Sequence, residues 1–127
     1  MTVAILRQRE YLIASIQADL SDSEIVAFRD DLAERIGRQR ARGVIVDVTA
    51  LDVIDSFATR TLRDVAYMIR LRGAETVIVG IQPEVAFSMV KLGLTLEGVA
   101  TSLDLEEGLA YLDRKAKSHE REVRAHR

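Results

Sequence analysis

Two neighbouring residues, Asp55 and Ser56, place a carboxylate and a hydroxyl where the chain changes its pattern. The run before them, 43–48, is apolar on both alternating faces except at Asp47, which is typical of a strand covered on both sides. After them, apolar residues recur at the three- and four-residue spacing of a helix. These residues are Ala58, Leu62, Val65, Ala66 and Ile69. Asp55 and Ser56 therefore stand at a predicted helix start, where side-chain oxygens accept hydrogen bonds from free N–H groups, and the simplest interpretation is a helix cap.

The sequence has few other residues that could take part in catalysis or metal binding, and their positions do not favour either role. The two histidines, His119 and His126, both lie in a charged tail, where a solvated side chain is the expected state. A Ser–His–Asp triad is therefore not predicted, and the sequence contains no glycine-rich phosphate-loop motif. Asp47, Asp52 and Asp55 could together bind a divalent cation, but their spacing follows no calcium loop. The sequence predicts no catalytic residue, no cofactor and no metal site.

The length and composition limit the classes of protein to which the chain could belong. The chain has 127 residues, the length of one domain. Its 18 basic and 20 acidic side chains nearly balance, which argues against a nucleic-acid surface. Cysteine is absent, so disulfides and cysteine-based sites are excluded, and the apolar runs are too short to cross a bilayer. We therefore expect a cytoplasmic protein without a signal peptide, direct membrane insertion or a nucleic-acid partner.

The first third of the chain has the pattern of a hairpin followed by a helix. Two short runs of β-forming residues, 2–6 and 11–16, flank a short polar turn, which predicts two antiparallel strands. Ser21 and Glu24 have the spacing of a capping box, so a helix is expected to begin there. Its charges follow the helix dipole, and Gly43 is predicted to end it.

The remainder of the chain alternates strands with helices. A strand at 43–48, a helix at 56–72 and a strand at 75–81 form a unit whose two strands are expected to be parallel. Pro83 is predicted to open a third helix. A last strand at 99–103 precedes a fourth helix with an acidic start.

These elements predict an α/β fold with a mixed, mainly parallel sheet of about five strands and about four helices. The pattern places a single domain at 1–115. Residues 116–127 are charged and terminal, so they are predicted to form a disordered tail.

A strand, a short acidic loop, Asp55-Ser56 at a helix start and a strand–helix–strand–helix remainder resemble the STAS domain of bacterial anti-sigma-factor antagonists over about residues 1–115. In that family the motif continues with Ser or Thr and then Gly, whereas Phe57 and Ala58 stand here. This variant looks most like the scaffold component of the stressosome. The resemblance implies phosphorylation of Ser56 and two kinds of partner, a switch serine kinase and STAS-containing sensor proteins in a large assembly. A homo-oligomer is a further possibility.

Phosphorylation of Ser56 would add about −1.5 to −2 charges beside the first turn of the helix. The helix dipole would stabilise the phosphate by ~0.3–1 kcal/mol, and the carboxylate of Asp55 would repel it by a comparable amount, so the fold should survive. A partner packed over this helix start would be affected far more, because burying an unpaired charge costs several kcal/mol.

The partner-binding patch predicted from this helix is Asp55, Ser56, Thr59, Arg60 and Arg63. The last three follow Ser56 by three, four and seven residues, which places them on one side of a helix. Thr59 is also a second candidate for phosphorylation. The alternative is an ordinary surface on which Arg60 and Asp64 form an i,i+4 ion pair.

We therefore predict a non-enzymatic interaction protein of stress or sigma-factor signalling, controlled by phosphorylation. Two alternatives from the same resemblance stay open: a simple antagonist that binds an anti-sigma kinase directly, and a STAS subunit of a membrane transport complex. A small hydrolase is disfavoured because the sequence offers no general base near a nucleophile.

Overall fold

The structure of the protein, a computed structural model, describes residues 3–125. The strands are β1 Val3–Gln8, β2 Tyr11–Ile16, β3 Gly43–Asp47, β4 Glu75–Val79 and β5 Ala100–Ser102. The helices are α1 Asp22–Gln39, α2 Ser56–Leu71, α3 Pro83–Lys91 and α4 Leu105–Ala125. Within the described residues the predicted α/β class, with five strands and four helices, is confirmed.

The strands form one sheet in the order β1-β2-β3-β4-β5. β1 and β2 are antiparallel and every other neighbouring pair is parallel, so the predicted mixed, mainly parallel sheet is confirmed. Helices α1, α2 and α3 pack their apolar residues on one face of the sheet, and α4 packs on the other. The carboxyl ends of β2 and β3 therefore meet the N-terminal ends of α1 and α2 at one edge of the sheet.

The turn between β1 and β2 is tighter than the sequence predicted. β1 continues to Gln8, so only Arg9 and Glu10 separate the two strands. Arg9 has φ 56, a left-handed conformation that is uncommon outside glycine. Its guanidinium lies 5.7 Å from the centre of the Tyr11 ring, and its Nη2 lies 3.5 Å from Asp113 Oδ2 on α4. These contacts hold the turn against α4.

A hydrogen bond joins β2 to α4 beside this turn. The Tyr11 hydroxyl donates to Asp113 Oδ1 at 2.5 Å. Burial and the bond to the carboxylate raise the pKa of Tyr11, and the same bond lowers the pKa of Asp113. Because the folded pKa of Asp113 lies below the unfolded one, this stabilisation is complete at neutral pH and is lost in acid as the pH falls through the folded pKa.

The end of α1 differs from the prediction. The helix ends at Gln39, and Arg40 forms its C-cap in the left-handed conformation with φ 50. Gly43, which was expected to end the helix, is instead the buried first residue of β3. A Cβ at residue 43 would lie 2.9 Å from Leu112 Cδ2 of α4. Glycine is therefore needed at 43 so that α4 can approach the sheet.

The last helix is longer than the sequence predicted. Residues 116–125 continue α4, so the prediction of a disordered tail is wrong for that segment. Arg42 Nη1 lies 3.4 Å from Glu120 Oε1 and joins the distal part of α4 to the start of β3. His119 is exposed on this helix, as expected, whereas His126 lies outside the described residues.

Candidate functional site

The start of α2 is capped by Asp55 and not by Ser56. Asp55 has extended backbone angles, and its Oδ1 accepts a hydrogen bond from the backbone N–H of Ala58 at 2.8 Å. Ser56 is the first residue of the helix and is exposed. Between residues 3 and 125 the Ser56 hydroxyl has no hydrogen-bond partner. The structure thus separates the two residues into a cap and a free hydroxyl.

The loop before this helix start is anchored by hydrogen bonds near its beginning and by two buried side chains further along. Asp47 Oδ1 accepts hydrogen bonds from the N–H of Thr49 at 2.9 Å and from the Thr49 hydroxyl at 2.6 Å. The Gln82 side chain donates to the carbonyl of Thr49 at 2.7 Å, which links the loop to the segment after β4. The side chains of two loop residues, Leu51 and Ile54, are buried in the core. These anchors hold the start of α2 in place at the edge of the sheet.

Thr59 does not belong to the surface beside Ser56, so its predicted outward position is wrong. The residue is 0% exposed, and its hydroxyl donates to the backbone carbonyl of Asp55 at 2.8 Å. Thr59 follows Ser56 by three residues, but it also precedes the buried Leu62 by three. The spacing from Leu62 decides the position of Thr59, because both residues belong to the apolar stripe of α2 that faces the sheet.

Two arginines follow Ser56 along α2, four and seven residues further on. Arg60 is exposed, and Arg63 is partly buried with its Nη1 3.4 Å from the Thr95 hydroxyl. The ion pairs among residues 3–125 do not include the pair of Arg60 with Asp64 that an ordinary surface would have suggested. Arg60 therefore lies one helical turn from Ser56, and its guanidinium has no ion pair among the described residues.

A cleft of about 220 Å³ opens beside this helix start, and the sequence reasoning missed it. Asp19, Asp22 and Asp55 line it together with an apolar floor that includes Ile25 and Leu62. We refer to it as the acidic cleft. The signal that could have found it was topology: parallel strands end at the same edge, so the loops after β2 and β3 must be neighbours.

The acidic residues of this edge do not gather into a metal site. In the described part of the chain, no three side chains of the metal-binding types lie close enough together to hold an ion. Both hydrogen bonds to Asp47 Oδ1 come from Thr49.

Among residues 3–125, no helix combines the length and apolar character needed to span a bilayer.

The fold and the site define a small α/β domain that presents an exposed serine at the start of a helix. The family model of the STAS domain matches residues 2–108, and the chain belongs to this family. The family predicted from the order of elements and the Asp55-Ser56 motif is thereby confirmed.

Relatives and solved structures show where in the family the similarity lies. The chain is 31% identical over 80 residues to the RsbT co-antagonist protein RsbRA of Bacillus subtilis, which is 63% of this chain and 29% of that protein. It thus spans less than a third of the length of the curated relatives it matches. A structure of Moorella thermoacetica RsbS, in which a serine is replaced by glutamate, has a TM-score of 0.79 and 33% identity, covering 92% of this chain and 99% of that one.

A chain from the molecular architecture of the stressosome, a signal integration and transduction hub, is also similar. Its TM-score is 0.71 and its sequence identity 32%, and the match covers 89% of this chain and 98% of that one. The predicted similarity to RsbS and to stressosome proteins is confirmed by these matches.

Proposed function

We propose that the chain is a non-enzymatic cytoplasmic component of a stressosome-type assembly in which phosphorylation of Ser56 controls binding of a switch serine kinase. The observation that carries the proposal is the free hydroxyl of Ser56, exposed at a helix start that Asp55 already caps. The similarity to RsbS, to a stressosome chain and to RsbT co-antagonist proteins supports the signalling setting. Its other partners would be STAS-containing sensor proteins.

Phosphate on Ser56 would change the surface without removing the cap. The hydrogen bond from Ala58 N–H to Asp55 does not involve Ser56, so it can persist in the phosphorylated chain. Arg60 lies one turn further along α2 and has no ion pair within the described residues, so its guanidinium is available to the phosphate. A charge-assisted pair of this kind is among the stronger hydrogen bonds in proteins. Phosphorylation would therefore replace a neutral hydroxyl and a free cation with a single anionic cluster.

This change acts on a partner much more than on the fold. The proposed binding surface consists of Asp55, Ser56, Arg60 and Arg63, the predicted patch without the buried Thr59. A partner that covers this surface would have to bury the added phosphate charge, and a cost of about 3 kcal/mol already lowers affinity more than a hundredfold. Thr59 stays a predicted second acceptor only if the first turn of α2 opens.

The test measures thermal unfolding and partner affinity in parallel. Wild type, Ser56→Ala, Ser56→Asp and enzymatically phosphorylated protein are compared for binding to the kinase and to a sensor protein by calorimetry. We expect all four to unfold at nearly the same temperature. Kinase affinity should persist in Ser56→Ala and fall by roughly a hundredfold in the phosphorylated chain. Ser118→Asp, an exposed serine on α4, is the matched control for added charge.

Two outcomes would contradict this proposal. If kinase affinity is unchanged by phosphate on Ser56, or falls equally in Ser118→Asp, then Ser56 is not the switch. If the purified chain labels itself with ATP alone, the non-enzymatic interpretation is wrong. Particle size distinguishes the assembly from a simple antagonist: with a sensor protein, a stressosome component enters a very large particle, whereas a simple antagonist stays in a small complex.

A further inference from the structure

The distal half of α4 carries a concentration of positive charge. Residues 114–125 have five basic and two acidic side chains, a net charge of +3, whereas the whole chain has a net charge of −2. The near balance of the whole composition therefore conceals a basic segment on an otherwise acidic protein. Four of its basic residues recur at three- and four-residue spacing, which places them on one side of the helix. We refer to these four as the basic stripe: Arg114, Lys117, Arg121 and Arg124.

The basic stripe lies on the side of α4 that is turned away from the sheet. The helix packs on the sheet through three leucines, Leu105, Leu109 and Leu112. At 3.6 residues per turn the stripe is centred roughly 130° around the helix from these leucines. All four side chains of the stripe are exposed, and none of them forms an ion pair among residues 3–125. The stripe is therefore accessible to a ligand in solvent.

Two acidic side chains border the basic stripe, and both are bound to groups at the sheet. Asp113 accepts the hydrogen bond from the Tyr11 hydroxyl at 2.5 Å and lies 3.5 Å from Arg9 Nη2. Glu120 Oε1 lies 3.4 Å from Arg42 Nη1. Because these carboxylates are shared with groups of the hairpin and of the segment before β3, they compensate the charge of the stripe only in part.

The chemistry of the basic stripe matches a row of phosphates. From residue 114 to residue 124 the stripe extends about 15 Å along the helix axis. A nucleic-acid duplex carries about nine phosphate charges over that length. Three of the four stripe residues are arginines, whose guanidinium group binds phosphate oxygens through two parallel hydrogen bonds. Residues 114–125 include no aromatic side chain on which a base could stack, so the contacts would be with phosphates and not with bases.

An anionic membrane surface fits this side of α4 less well. A helix that lies in a membrane interface inserts large apolar side chains, and Val123 is the only one in residues 114–125. Glu106 and Glu107 are exposed on the same outward side of α4, about two turns before the stripe. A flat anionic surface along the helix would meet both carboxylates, whereas a duplex that crosses the helix contacts the distal half alone.

We propose that the basic stripe of α4 binds the phosphate backbone of duplex nucleic acid without sequence preference. A line of cations along one face of a helix is the electrostatic pattern of such a contact. The stripe lies outside residues 2–108, which the STAS family model matches, so the family similarity does not account for it. The proposal does not depend on Ser56, because α2 and α4 pack on opposite faces of the sheet.

Fluorescence anisotropy of a labelled duplex DNA of about 20 base pairs tests the contact with the purified full chain. At about 50 mM salt we expect saturable binding below about 1 mM protein, and two duplexes of unrelated sequence should bind within about threefold of each other. Four phosphate contacts predict a slope of about −3.6 for the logarithm of the association constant against that of the salt concentration. Doubling the salt to about 100 mM should therefore weaken binding roughly tenfold. Absence of binding, or a larger difference between the two duplexes, would overturn the proposal.

Charge-neutralising variants then locate the surface. Arg121→Gln/Arg124→Gln removes two of the four cations, so affinity at about 50 mM salt should fall roughly tenfold or more and the salt slope should fall to about −1.8. The matched control Arg29→Gln/Arg38→Gln makes the same change in net charge on α1, which packs on the other face of the sheet, and should bind like wild type. Circular dichroism checks that both variants keep their helices. Equal loss of affinity in the control, or an unchanged salt slope in the stripe variant, would overturn the proposal.

Two other polyanions distinguish a duplex from a membrane and from an acidic protein segment. Vesicles with about 30% phosphatidylserine and poly-glutamate are each added as competitors to the bound duplex, at the same total concentration of negative charge. Because a duplex has the higher linear charge density and meets the stripe without meeting Glu106 and Glu107, unlabelled duplex should compete roughly tenfold better than either. Equal or better competition by the vesicles or by poly-glutamate would overturn the assignment to nucleic acid.

Discussion

Helices α1 and α2 begin at the same edge of the sheet, and each has a serine at its start, but the two serines are used differently. In α1 the hydroxyl of Ser21 accepts from the N–H of Glu24 at 3.2 Å, and the Glu24 side chain accepts from the N–H of Ser21 at 3.0 Å. In α2 the equivalent cap position is held by Asp55, and Ser56 follows it with a hydroxyl that has no hydrogen-bond partner in the described part of the chain. A shift of one residue separates a structural serine from an available one.

The comparison shows why a modification is tolerated at one helix start and not at the other. A phosphate on Ser21 would occupy the oxygen that caps α1, whereas a phosphate on Ser56 leaves the cap of α2 in place. Thr59 gives a third case, because its hydroxyl is buried and bonded to the Asp55 carbonyl. Exposure and the identity of the cap, more than the presence of a hydroxyl, define the candidate site.

The largest expected effect contrasts Thr59 with Ser56 on α2. Thr59→Glu would bury an unpaired carboxylate where the native side chain is 0% exposed, so we expect a loss of about 3 kcal/mol or more in unfolding free energy. Ser56→Glu places the same group in solvent and should change stability by less than about 0.5 kcal/mol. Urea titration measures both. Similar losses of unfolding free energy in the two variants would mean that the side chain at residue 59 is not buried.

The next effect concerns the floor that the two helix starts share. Leu62 is 2% exposed and lines the acidic cleft together with Ile25 of α1. Leu62→Ala should lower the free energy of unfolding by about 2–5 kcal/mol, the usual cost of a large-to-small change in a core. Val90→Ala, at a residue that is 78% exposed, is the control and should cost less than about 0.5 kcal/mol. A loss below half a kcal/mol for Leu62→Ala would place this face of α2 outside the core.

The smallest expected effects on stability distinguish the helix-capping residues Ser21 and Asp55 from Ser56. Ser21→Ala and Asp55→Ala each remove a cap and should cost about 0.5–2 kcal/mol. Ser56→Ala removes no hydrogen bond seen among residues 3–125 and should cost less than about 0.5 kcal/mol. Thermal and denaturant unfolding of the three variants, measured under one condition, gives the order. If Ser56→Ala proves as costly as Asp55→Ala, then Ser56 shares the capping role and is not a free hydroxyl.

Local patterns in the sequence were sufficient for most of the elements. The apolar run in β3 and the spacing in α2 predicted both elements because burial imposes periods of 2 and 3.6 on any chain. Ser21 with Glu24 predicted the start of α1, and Pro83 the start of α3, because capping and φ restriction act within one turn. The parallel pairing of β3 with β4 followed from the helix between them.

The errors arose where a distant segment decides the outcome. Gly43 looked like a helix stop, but it makes room for Leu112 of α4, which is far away in sequence. Residues 116–125 have a charged composition, yet α4 continues through them, with Glu120 paired to Arg42. Neither contact has a local signal.

The sequence by itself determined the family, the order of elements and the position of Asp55-Ser56 at a helix start, because these depend on residues close together in the chain. Only the tertiary structure decided which hydroxyl is free. Thr59 and Ser56 are three residues apart on one helix, and the direction of the sheet determines that one is buried and the other exposed. The same is true of the acidic cleft, because it joins side chains from segments that meet only when the sheet is assembled.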